Sequence, residues 1–166
     1  MVKRFIVPAL MLLVLWGCSY SVFSNAYPHL KKIRVAPFEN SSSEFDIAEK
    51  VYTGLSAQFR NDGRLKPVTQ QPDCLLEGSV LSFEEKVFSF DAGNNIQDYQ
   101  LRLTVKLSFT DLVRNETIYE NGSLLVTETY AVAPTSTSRF KSKEEATDEL
   151  IRSLFNTIIQ NSLERW

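Results

Sequence analysis

The run from Tyr99 to Phe109 constrains this chain more than any other segment. Tyr99, Leu101, Leu103, Val105, Leu107 and Phe109 alternate without a break with Gln100, Arg102, Thr104, Lys106 and Ser108. Successive Cβ atoms in a strand point to opposite faces, so this period of two describes a strand with one buried side. The other side is wet or faces a polar partner. Two flanking segments extend the sheet. Cys74 to Phe90 is long and strand-like, and its apolar phase changes around Glu84-Glu85-Lys86, where a bulge is expected. Thr117 to Tyr130 is the next strand, with Gly122 expected at a bulge or a close approach. Turn clusters at Asp91–Asn95 and Val113-Arg114-Asn115 join the three segments, which makes them antiparallel neighbours.

The remaining elements are those that can cover the apolar face. Lys32 to Phe38 alternates as a first strand, with Pro37 near its end marking an edge or a terminus. Ser43, with Asp46 three residues on, is the expected N-cap of a first helix. Ala48, Val51, Tyr52, Leu55 and Phe59 give that helix one apolar face, and Gly63 suits its left-handed C-terminal position. Arg64 to Val68 is at best an edge strand. Ser142 and Glu145 form a capping box for a last helix, whose stripe runs from Ala146 through Leu150, Leu154 and Ile158 to Leu163. Trp166 either packs under that helix or contacts a partner. The order is β-α-β-β-β-β-α. The expected fold is an α+β two-layer sandwich, a mostly antiparallel sheet covered on one face by two helices.

The residues offer little chemistry. The single histidine, His29, lies beside Pro28 in a polar lead-in and reads as a solvated linker residue. No nucleophile elbow, Walker or dinucleotide glycine pattern, or zinc ligand set is present, so the chain reads as a non-enzyme with no metal and no cofactor. Asp91, Asn94, Asn95 and Asp98 are rich in oxygen but lack the EF-hand spacing and read as a hairpin loop. Glu84 and Glu85 are adjacent on a strand, point to opposite faces and cannot share a site unless the expected bulge reorients them; a solvated charge cluster is the reading. Cys74, in an apolar run, reads as a small buried core residue. The sequons at Asn40, Asn115 and Asn121 read as chance matches in polar segments. Arg102, Lys106, Arg114, Arg139 and Lys141 are candidates for a local phosphate-binding patch, with ordinary solvated charge as the alternative.

The N-terminal segment addresses location. Lys3 and Arg4 precede an apolar run from Phe5 to Trp16, too short to span a bilayer as a helix, and Leu15-Trp16-Gly17-Cys18 follows. This resembles a bacterial lipoprotein signal, with Trp16 where the pattern usually carries a small residue. The resemblance implies cleavage before Cys18 and lipidation of that cysteine. An ordinary signal peptide with an incidental Cys18, or an uncleaved anchor, are the alternatives. Loss of Lys3 and Arg4 would leave 16 of the 18 basic residues against 20 acidic ones, which gives no whole-chain reason to bind nucleic acid. The expected organisation is residues 1–17 as signal peptide, 18–30 as lipidated tether and 31–166 as a single domain. Ser19, rather than Asp, after the cysteine favours the outer membrane by the same resemblance.

Beyond the signal, His29-Leu30-Lys31-Lys32-Ile33-Arg34-Val35-Ala36-Pro37-Phe38-Glu39-Asn40 resembles the opening strand of the LptE lipopolysaccharide-assembly lipoproteins. Asn61-Asp62-Gly63-Arg64-Leu65 and Pro72-Asp73-Cys74-Leu75-Leu76-Glu77-Gly78 are similar to the segments that follow in that family. The resemblance covers essentially the whole mature chain. It implies an outer-membrane lipoprotein, periplasm-facing, that plugs the LptD β-barrel, assists its assembly and helps deliver lipopolysaccharide to the cell surface. Arg102, Lys106 and Arg114 are then the position-based candidates for lipopolysaccharide contact. A periplasm-facing lipoprotein subunit of another envelope transport or secretion machine is the alternative.

Overall fold

A computed structural model describes residues 27–164. Cys18 and Trp166, and the expectations attached to them, lie outside the described residues. Six strands form one sheet: β1 (Lys32–Val35), β2 (Glu39–Asn40), β3 (Lys66–Pro67), β4 (Cys74–Phe90), β5 (Ile96–Asp111) and β6 (Glu116–Ala131). Two helices complete the domain, α1 (Ile47–Asp62) between β2 and β3, and α2 (Lys143–Ser162) after β6. The strand order is β3-β1-β4-β5-β6, with β2 also on β4. The expected α+β class holds, and the element order differs from expectation by one added two-residue strand, β2, before the first helix. The short strands β1, β2 and β3 pair in parallel, whereas β4, β5 and β6 form an antiparallel meander. Parallel neighbours need a crossover connection, and α1 supplies the one from β1 to β3. At ~3.3 Å per residue the long strands reach about 55 Å.

The alternation in β5 is realised in full. Leu101, Leu103, Val105, Leu107 and Phe109 are buried against the helices. From α1 come Ile47, Val51, Leu55 and Phe59, and from α2 come Leu150, Leu154 and Ile158, all buried in the same cluster. Phe59 and Phe155 meet edge to face with centroids 4.9 Å apart. Fully burying one such side chain contributes about 1.5–3 kcal/mol, so this one layer carries most of the stabilisation. The helices approach closely at Gly54, where an added Cβ would lie 2.7 Å from Ile151 Cγ2.

Both helix ends are fixed by local chemistry. Gly63 takes φ 76° and donates its N–H to the Phe59 carbonyl, as expected. Ser142 caps α2 by accepting from the Glu145 N–H, and the Glu145 carboxylate accepts from the Lys141 N–H, one residue before its usual capping-box partner. The α1 start differs from expectation. Its N-cap is Asp46, not Ser43, and the Asp46 side chain makes no capping bond. The Asn40 amide holds the intervening loop, accepting from the Ser42 N–H and donating to the Glu44 and Phe45 carbonyls. Those residues are thereby committed to a turn, and the Asp46 carboxylate instead meets Lys50 at 2.8 Å.

Register slips fall on both sides of β5, and the one at Gly122 is expected. Opposite β5, Val105 pairs with Leu124 and Leu107 with Asn121, so Gly122 and Ser123 of β6 together oppose Lys106, a bulge of one extra residue. On β4 the register slips at Val80/Ser82 and again at Val87/Ser89/Phe90. Glu84, Glu85 and Lys86 themselves pair regularly with Arg102, Leu101 and Gln100. The phase change therefore arises on either side of the charged triplet rather than within it.

Candidate interaction surface

The face of the sheet turned away from the helices carries the exposed half of the alternation. On β5 it presents Gln100, Arg102, Thr104, Lys106, Ser108 and Thr110, all half-buried or exposed. Their cross-strand neighbours on β4 include Ser79, Ser82 and Glu84, and on β6 Thr127 and Thr129. Short hydroxyl side chains leave most of the surface low and polar, broken by the exposed Leu125 opposite Thr104, and no element of the described residues covers it.

Arg102 and Lys106 lie on this face, four residues and about 13 Å apart along β5. Arg114 does not join them, because it sits in the exposed β5–β6 turn. Each strand cation has acidic company. Arg102 faces Glu84, whose carboxyl is held below its usual range chiefly by the Lys86 ammonium at 2.7 Å and then by Arg102. Lys106 lines an open cleft of about 430 Å³ together with Glu39, Glu77 and Glu120. The face is thus a mixed-charge surface rich in hydroxyls rather than an unbroken basic patch.

Several functional-looking polar groups escaped the sequence reading. Asp111 is 1 % exposed, and its carboxylate accepts from the Val113 and Arg114 N–H groups at 2.8 and 2.9 Å. His29 Nε2 lies 2.6 Å from its other oxygen, so His29 is no solvated linker residue but a half-buried contact. Burial pushes the Asp111 carboxyl up, yet these hydrogen bonds outweigh it and hold the group below its ordinary value. Leu30, expected at the end of a tether, is fully buried in the core. A contact spanning 82 residues leaves no local signature at His29. Asp111 does leave one: it continues the inward phase of β5, where only a partnered carboxylate is tolerable.

Asp98 is buried beside the hydroxyls of Ser136 and Ser89, which hold its carboxyl low and fasten the loop after β6 to the β4–β5 hairpin. Glu85 points to the helix side, as opposite-face geometry requires, and meets the Tyr130 hydroxyl and Lys143. Burial and that carboxylate push the Tyr130 phenol up. Asp91 caps the hairpin turn by accepting from the Gly93 and Asn95 N–H groups, which is a loop role as expected. Cys74 is buried, and desolvation raises its thiol to about 12, the behaviour of a core residue. Among the described residues no group of three or more His, Cys, Asp or Glu could hold a metal ion, and no helix is long and apolar enough to cross a membrane.

Comparison with solved structures places the fold. The hypothetical protein CT253 from Chlamydia trachomatis superposes with a TM-score of 0.55 at 10 % identity, covering 80 % of this chain and 97 % of that one. Protein XCC0632 from Xanthomonas campestris gives 0.53 at 12 %, covering 81 % and 89 %. A PelC dodecamer subunit from Paraburkholderia phytofirmans gives 0.51 at 11 %, covering 81 % and 88 %. These likenesses are of fold alone. None of the curated proteins matches the chain in sequence. The family model described as LptE: Lipopolysaccharide-assembly matches residues 30–162, from the buried Leu30 to the last turn of α2. The chain therefore belongs to the LptE lipopolysaccharide-assembly family.

Proposed function

We propose that the protein is a non-enzymatic, periplasm-facing outer-membrane lipoprotein, acylated at Cys18, that plugs an LptD-like β-barrel, assists its assembly and helps pass lipopolysaccharide to the cell surface. The observation that carries this reading is the family match over the whole packed domain, residues 30–162. The two-sided sheet supports it physically. One face is sealed by the helices, and the other is a long, mostly polar surface that no element of the described residues covers. Barrel interiors are polar and water-accessible, so a hydroxyl-rich sheet face suits their wall better than an apolar one. A permanent plug also needs a large contact, often above ~2,000 Å², which three strands of about 55 Å can offer.

Lipopolysaccharide contact is assigned to Arg102, Lys106 and Arg114. Phosphate groups would compete with Glu84, Glu77 and Glu120 for the two strand cations, and Arg114 would act at the turn. Affinity capture of the wild-type protein from native outer membranes tests the plug. Co-purification of one large β-barrel is expected, and recovery of the protein without a barrel would refute it. A combined Arg102→Glu, Lys106→Glu, Arg114→Glu variant should weaken lipopolysaccharide binding by the purified, folded protein. Unchanged binding would overturn the residue assignment and leave the plug intact.

A further inference from the structure

The β5–β6 turn breaks the usual chemistry of a hairpin tip. Leu112 is 43 % exposed and Val113 is 63 % exposed, side by side, where polar side chains would cost nothing. The turn is also held rigidly. Asp111 accepts from the Val113 and Arg114 N–H groups, the Leu112 N–H donates to the Asp73 carbonyl at 2.9 Å, and Asn115 takes a left-handed φ of 54°. Two apolar side chains are therefore presented on a fixed platform.

That platform lies at the end of the sheet where the chain comes in from its N-terminus. His29 bonds Asp111, and the Lys31 and Lys32 N–H groups donate to the Asp73 carboxylate. Cys18 precedes Tyr27 by nine residues, a span of at most about 30 Å even when fully extended. An acylated Cys18 would thus keep this end of the domain near the leaflet that holds its acyl chains. Exposed cations share that end, Lys31 just before β1, Lys66 at the start of β3 and Arg114 in the turn itself, alongside the acids Glu116, Asp73 and the Asp62 and Glu164 that pair with Arg64. The opposite hairpin also exposes apolar side chains, Phe88 and Phe90, but it lies a full strand length from the end of the sheet near His29.

We propose that the β5–β6 turn is a second, non-covalent contact with the phospholipid surface, with Leu112 and Val113 seated at the headgroup–acyl boundary and Arg114 and Lys31 against phosphates. One covalent anchor leaves a domain free to swivel, and a rigid apolar tip beside it fixes which end faces the bilayer. This proposal rests on the acylation of Cys18. A single reporter cysteine can test it, because Cys74 is buried with a thiol raised to about 12 and an acylated Cys18 cannot react. The acylated full-length chain carrying Val113→Cys, and a second carrying Asn94→Cys at the far hairpin, are each labelled with a fluorophore. Both are incorporated into phosphatidylethanolamine–phosphatidylglycerol vesicles containing lipids with a shallow nitroxide. A tip seated ~5–10 Å deep should be quenched at least about threefold more at residue 113 than at residue 94. Adding Leu112→Ser to the first variant should reduce that difference. Equal quenching at both positions, in protein that sediments with the vesicles, would overturn the membrane contact while the anchor stands. A labelled Cys18, with the protein left in the supernatant, would instead overturn the anchor and this proposal with it.

Discussion

The two faces of β5 are built from the same eleven residues, Tyr99 to Phe109, and behave as different materials. The inward set, Leu101 to Phe109, is buried beneath two helices and holds the domain together. The outward set of Arg, Lys, Gln, Ser and Thr is covered by no element of the described residues, so packing does not dictate it. Stability sits on one side of a single strand, and the proposed recognition on the other. Substitutions on the two sides should therefore fail in different assays.

The largest contrast should come from adjacent residues. Leu103→Asp places an unpaired charge in the helix-covered layer and should cost more than about 4 kcal/mol, or prevent folding. Thr104→Asp, one residue on and on the open face, should shift stability by no more than about 0.5 kcal/mol. Equal shifts in thermal melts would show that the register of β5 is wrong. Within the buried side, Gly54→Val should cost roughly 2–3 kcal/mol, since its Cβ would enter Ile151 and force α1 from α2. Chemical denaturation should detect it, and a neutral result would place the helices further apart.

Asp111 tests whether the N-terminal end of the sheet belongs to the stable side. Asp111→Ala would leave two backbone N–H groups and His29 without their acceptor, at a cost of about 2 kcal/mol. A smaller effect should appear with pH. The Asp111 and Asp98 carboxyls are held below their ordinary value when folded. Such groups contribute stability that is present above the ordinary carboxylate range and is lost as pH falls through the lowered folded values. Melting temperature should therefore hold steady down to the ordinary aspartate value of about 4 and then decline. Asp111→Asn should flatten part of that decline, and an unaltered profile would remove Asp111 from the account.

The same division explains what the sequence disclosed. The alternation of β5, the stripes of both helices, the Gly63 cap and the Gly122 bulge are local patterns, readable from neighbours in the chain. The features missed depend on distant residues. Ser43 looked like a cap, but Asn40 had already organised that loop. His29 looked solvated, because its partner Asp111 lies 82 residues away. The phase change at Glu84-Glu85-Lys86 was real, yet its origin lay in slips at Val80/Ser82 and Val87/Ser89 that only pairing with β5 defines. For the candidate interaction surface, the outward positions of Arg102 and Lys106 were legible in β5. The acidic neighbours that temper them were not, because Glu77 and Glu120 come from other strands.

The central claim is that the open sheet face meets the wall of an outer-membrane barrel, and a photoreactive side chain at Thr104 tests it most directly. The substitution sits at the middle of that face and leaves the buried layer untouched. Irradiation of cells carrying the acylated protein should trap one high-mass adduct whose second component is an outer-membrane β-barrel protein. If folded, membrane-associated protein yields no barrel adduct from Thr104, the open face does not line a barrel and the account is contradicted.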